Sequence, residues 1–73
     1  MDQDSFKITI KGARVEARKT QREVAEALKV SRATVLSWEK GKTSPDVQKA
    51  QEFCSFCNIP YDRVTFLREQ NAI

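Results

Sequence analysis

The stretch TQREVAEALKVSRATVLSWEKGKT, residues 20–43, reads as two short helices joined by a tight turn. Thr20-x-x-Glu23 is a capping box: the threonine hydroxyl accepts from the backbone N–H three residues on, and Glu23 reaches back to the N–H of Thr20. From Gln21 to Leu28 the residues Val24, Ala25 and Leu28 fall on one side, the spacing of a helix that buries one face. Ala25 is small enough to let another helix cross closely. Lys29-Val30 makes the turn. Ser31 is a good N-cap for a helix through about Lys40, with Val35 and Trp38 turned inward. Gly41 follows, where a helix favours a left-handed residue past its end.

Upstream, Thr9 is placed to cap a first helix running to about Arg18, with Ile10, Ala13, Arg14 and Ala17 on one side. Gly12 weakens that helix a little. Phe6-Lys7-Ile8-Thr9-Ile10 alternates apolar and polar residues, a short extended segment with too little length for a sheet of its own. Downstream, Ser44-Pro45-Asp46 starts a fourth helix with a cap, a proline at the first helical position and an acid in the first turn. It carries Val47, Ala50, Phe53, Cys54 and Cys57 inward and ends near Asn58. Ile59-Pro60 breaks the pattern. Tyr61 to about Leu67 reads as a short fifth helix, with Val64 and Leu67 closing the core. Residues 1–5 and 68–73 have little to hold them. The expectation is an all-α fold, a compact five-helix bundle forming a single domain over residues 1–73 with an ordered core from about 6 to 67.

Size and charge narrow the function. A chain of 73 residues allows one domain that buries about 60% of its unfolded surface, so its core must be local and tight. No apolar run approaches the roughly 18 residues of a membrane span, and the acidic start MDQDSFKI has no export signal; the expected home is the cytoplasm, with no membrane partner. The net charge is +3, but it is unevenly placed. Residues 5–45 hold ten Lys/Arg against four Glu, while residues 46–73 hold three basic and four acidic residues. The basic half is the half with the two joined helices, a footprint that attracts phosphate backbones or is simply a solvated surface.

The remaining chemistry is sparse. Cys54 and Cys57 form a C-x-x-C, but tetrahedral zinc needs four ligands, there is no histidine, and a thioredoxin-like motif needs a βαβ setting. With Val47 and Ala50 they fall on one helix face, so core packing is preferred to metal or redox chemistry. Ser31 and Ser37 have no base to activate them, and there is no phosphate-binding glycine loop or paired-carboxylate site. No enzyme activity, cofactor, metal or small-molecule ligand is expected.

Two short helices of this layout, the second opening Ser31-Arg32-Ala33 and closing in basic residues, form the arrangement of a helix-turn-helix that lays its second helix in the DNA major groove. Four motifs extend the likeness: Thr20-Gln21-x-Glu23-Val24-Ala25, Val30-Ser31-x-Ala33-Thr34-Val35, Trp38-Glu39-Lys40-Gly41-Lys42 and Ser44-Pro45. From about Ile10 to Leu67 the chain resembles the Cro/repressor (XRE-type) helix-turn-helix family of phage and bacterial regulators. Ile59-Pro60-Tyr61-Asp62 is similar to its small phage-type members.

The resemblance implies a lambda-repressor-like DNA-binding domain acting as a sequence-specific transcriptional regulator on double-stranded DNA. It places base reading on Arg32 and Ala33, with Ser37 one turn further along. Arg32 offers a fork for guanine O6 and N7, Ala33 a methyl for thymine, and Ser37 a donor or acceptor. Leu36, apolar at a position expected to be exposed, is a further thymine contact. Phosphate contacts fall on Gln21, at the start of a helix, and on Lys40, Lys42 and Thr43. Arg22 and Lys19 are candidates for the same role, with ordinary surface charge as the alternative. The family pattern also pairs Arg14 with Glu39 in a partly buried, structural salt bridge. The turn usually carries glycine where this chain has Lys29, so either the turn is reshaped or a left-handed lysine is tolerated at about 1–2 kcal/mol. A homodimer is implied, with half-sites about 34 Å apart, and Phe56, Tyr61 and Phe66 are the candidate interface. The rival reading is a protein-interaction module of the same fold that binds an antirepressor or another protein partner.

Overall fold

A computed structural model describes residues 7–66. They form four α-helices: α1 (Ile10–Glu16), α2 (Gln21–Leu28), α3 (Arg32–Glu39) and α4 (Val47–Cys57), followed by one 3-10 turn, Tyr61–Arg63. α2 packs on α3 and α4, α1 packs against α3, and the 3-10 turn lies on α4.

Each helix starts where a side chain satisfies its free N–H groups. Thr9 Oγ1 accepts from Gly12 N at 3.0 Å, Ser31 Oγ from Thr34 N at 3.1 Å, and the Thr20–Glu23 capping box is complete, at 3.0 and 2.8 Å. Gly41, with φ 78°, is left-handed after α3, as expected. The core gathers Ile10, Ala13, Val24, Ala25, Leu28, Val35, Trp38, Phe53, Cys54, Cys57 and Val64. Val24, Val35, Phe53 and Leu28 are its most deeply enclosed side chains.

Several expectations are corrected. Among the described residues the fifth helix is absent: after the single turn Tyr61–Arg63 the backbone becomes extended at Val64 (φ −110°, ψ 134°). The cause is a pairing with the N-terminal segment. Ile8 N–H donates to Arg63 O and Thr65 N–H donates to Ile8 O, both at 2.9 Å, a parallel bridge between Ile8 and Val64. The β-branched Val64 and Thr65 suit that geometry better than a helix. Val64 closes the core as expected, whereas Leu67 lies outside the described residues. α1 stops at Glu16, before Ala17 and Arg18. α4 is capped by Asp46, whose carboxylate accepts from Lys49 N at 2.8 Å, and not by Ser44. The Ser44 hydroxyl instead donates to Phe66 O at 2.7 Å. Val47, expected in the core, is exposed.

Lys29 resolves the question of the turn. It is left-handed, with φ 61° and ψ 43°, and its N–H donates back to Glu26 O at 3.4 Å. The turn keeps the geometry that glycine favours. Lys49, from α4, donates from Nζ to Leu28 O at 2.7 Å, a cation on the last carbonyls of α2 that favours this helix end. Lys29→Gly is expected to stabilise the fold by about 0.5–1 kcal/mol, the relief of a left-handed side chain less the added freedom of glycine in the unfolded chain. Lys29→Ala should give no such gain. Urea unfolding midpoints of the three proteins check this.

Candidate nucleic-acid interface

The turn at Lys29 and the Ser31 cap throw the start of α3 outward. Arg32 and Ala33 are exposed on its first turn, and Leu36 is exposed one turn on. Val35 and Trp38, on the opposite side, anchor the helix in the core. Ser37 is half-buried, and its hydroxyl shares a 2.9 Å hydrogen bond with Thr43 Oγ1. That bond ties α3 to the loop carrying Lys42. Lys40 and Lys42 are both exposed at the end of α3, so cations follow the helix as the sequence predicts.

Behind this face lies a chain of polar contacts. Arg14 Nε donates to Glu39 Oε2 at 2.6 Å, and Arg14 Nη2 to Glu39 Oε1 at 3.4 Å. The side chains are 12% and 4% exposed, so the ion pair between α1 and α3 is well shielded from water. Arg14 Nη1 also donates to Lys19 O at 2.9 Å. Glu39 Oε1 takes a further bond from Gln21 Nε2 at 3.1 Å. With its amide nitrogen turned to the carboxylate, Gln21 presents Oε1 the other way, where it accepts from Arg32 Nε at 3.4 Å. The buried pair thus reaches the exposed arginine through one amide. The Arg14–Glu39 pair is implied by the family pattern, but this extension is not, because neither the pattern nor helix periodicity says which way an amide turns.

The other predicted phosphate contacts have partners within the fold. Lys19 Nζ sits 4.8 Å above the Phe56 ring, and Arg22 Nε lies 3.6 Å from Glu26 on an exposed stretch of α2, a pairing of little strength in water. The aromatic residues named as an interface divide into two groups. Tyr61 stacks on Phe66, with centroids 5.5 Å apart, and Phe66 meets Phe53 edge-on at 6.4 Å. Phe56 packs against the core beneath Lys19.

Cys54 and Cys57 are free and buried. Burial pushes both thiols up, and the neighbouring Cys54 pushes Cys57 further. Thiols so placed stay protonated and behave as small apolar core residues. Among the described residues no helix is long and apolar enough to cross a membrane.

The helix-turn-helix family profile matches residues 10–64. Over 66 residues the chain is 32% identical to the transcriptional repressor RstR of the cryptic phage CTXphi of Vibrio cholerae, an alignment covering 90% of this chain and 60% of that protein. The chain therefore spans less than two thirds of the length of this relative.

Proposed function

Because the chain belongs to the Cro/repressor (XRE-type) helix-turn-helix family, we propose that it is a repressor-like transcriptional regulator that reads duplex DNA with α3 in the major groove. The observation that carries this reading is the exposed first turn of α3, where Arg32 stands in solvent with Nε already engaged by Gln21. Its two terminal amines are then left for guanine O6 and N7, the pair of acceptors an arginine fork fits. Ala33 and Leu36 offer methyls to thymine. Ser37 can give up its bond to Thr43 for a base edge, since a hydroxyl both donates and accepts.

Phosphates hold the frame and carry no sequence information. Gln21 uses one amide hydrogen on Glu39; its second hydrogen and the N–H at the start of α2 can meet a phosphate. Lys40, Lys42 and Thr43 grip the strand beyond α3. Arg22 and Lys19 join them by exchanging an exposed carboxylate and a ring face for a phosphate. A homodimer completes the reading, with the exposed Tyr61 and the half-buried Phe66 stacked on it as the apolar surface offered to a second copy.

Affinity for DNA fragments measured by gel shift across a salt series tests this. Several phosphate contacts should release counterions and give a steep decline of log affinity with log salt, about 0.9 per phosphate. No shift at low salt would favour the protein-interaction module instead.

A further inference from the structure

Resting on the duplex-binding reading above, we propose that the cleft between the end of α1 and the start of α2 seats a further stretch of the same sugar–phosphate backbone, with Arg18 as a phosphate contact and Val15 against the deoxyribose. The cleft is open, has a volume of about 490 Å³, and is lined by Val15, Arg18, Arg22, Gln21 and Arg32 among others. Its lining is strongly cationic. Into this lining Val15 projects as an apolar side chain 55% exposed to water. Cations set beside the methyls of Val15 suit a strand in which charged phosphates are joined by the less polar faces of sugars. They match an acidic peptide less well, because its carboxylates stand on flexible stems with no fixed apolar spacer.

Three observations single out Arg18. Its backbone is left-handed, with φ 61°, just past the end of α1. There the Arg18 N–H donates to Val15 O at 2.9 Å and the Lys19 N–H to Arg14 O at 3.1 Å, the paired bonds of a Schellman helix end, whose left-handed position favours glycine. An arginine holds it here. Among the described residues its guanidinium has no hydrogen-bond or ion-pair partner, whereas Arg14, Arg22 and Arg32 each have one. Arg18 therefore lines the cleft as an exposed cation not spent on a contact within the described fold. Gln21 and Arg32 line this cleft and also touch each other at the head of α3, so a strand met by Arg32 continues past Arg18.

The test uses the full chain, a duplex recovered by selection and a scrambled duplex, with anisotropy titrations over a salt series for the parent chain, Arg18→Gly, Arg18→Asn and Arg18→Lys. Glycine and asparagine both accept the left-handed backbone, so either neutral variant serves if the other fails to fold. Each neutral variant is expected to flatten the salt slope by about 0.9 per bound protomer, which makes the loss of affinity between about 50 and about 200 mM salt roughly 3.5-fold smaller for one protomer and about 12-fold smaller for a dimer. The weakening should be equal on both duplexes, Arg18→Lys should keep the slope, and the urea midpoint of Arg18→Gly should not fall. An unchanged slope in the neutral variants, with the parent chain still binding, overturns the role of Arg18 and leaves duplex reading intact. Failure of the parent chain to bind either duplex overturns duplex reading itself, and the Arg18 contact with it.

Discussion

Glu39→Ala is expected to remove about 3–5 kcal/mol of folding stability, the cost of leaving one member of a shielded ion pair without its partner. Arg14 would keep a bond to the Lys19 carbonyl but lose the carboxylate 2.6 Å from its Nε. A domain of this length has roughly 4–11 kcal/mol in total, so the loss takes a large part of it. Ser37→Ala is the comparison. It removes one hydroxyl bond on a half-buried residue, worth about 0.5–1.5 kcal/mol. Urea denaturation followed by far-ultraviolet circular dichroism gives both values. Equal losses would contradict the structural weight placed on the pair. The double replacement Arg14→Met with Glu39→Leu should cost much less than the two single changes added together, because no uncompensated charge remains.

Arg32→Ala should leave stability almost unchanged, since Arg32 is exposed and its bond to Gln21 is long at 3.4 Å. Its effect falls on recognition: about 1–3 kcal/mol of discrimination at one base pair. Competition titrations with duplexes carrying each base at each position should show one position becoming tolerant while the others keep their preference. Gln21→Ala should blunt the same position more weakly, because the arginine remains but its Nε loses its acceptor, and should also weaken every duplex alike through its phosphate contact. For Arg32→Ala, a drop that is uniform over every duplex would mean that Arg32 touches phosphate alone.

Much of the fold lies in local chemistry and is legible residue by residue. The Thr9, Thr20 and Ser31 caps start helices where their hydroxyls accept, and Val24, Ala25, Leu28, Val35 and Trp38 form the core their spacing implies. The Arg14–Glu39 pair is legible from the family pattern, and both residues occupy the expected places. The rest depends on contacts between distant residues. Ser44 and Asp46 are both competent caps; Asp46 takes the role, and Ser44 bonds instead to Phe66 across 22 residues. The fifth helix yields to a bridge between Ile8 and Val64, which no local periodicity contains. Gln21 reads as a phosphate ligand from its place at a helix start, while its link between Glu39 and Arg32 requires the tertiary fold. Arg18 escapes notice because a run of cations reads as solvated surface until the cleft beside it is seen.

The central claim is that the exposed start of α3 reads base sequence. Selection of duplexes from a random pool at about 150 mM salt, near physiological ionic strength, tests it most directly. The expected result is an enriched site in which a guanine contributes strongly, repeated with two-fold symmetry one helical turn apart, with that guanine preference lost when the pool is selected by Arg32→Ala. A pool that emerges with no enriched sequence, or an enriched site identical for the parent chain and Arg32→Ala, would contradict it.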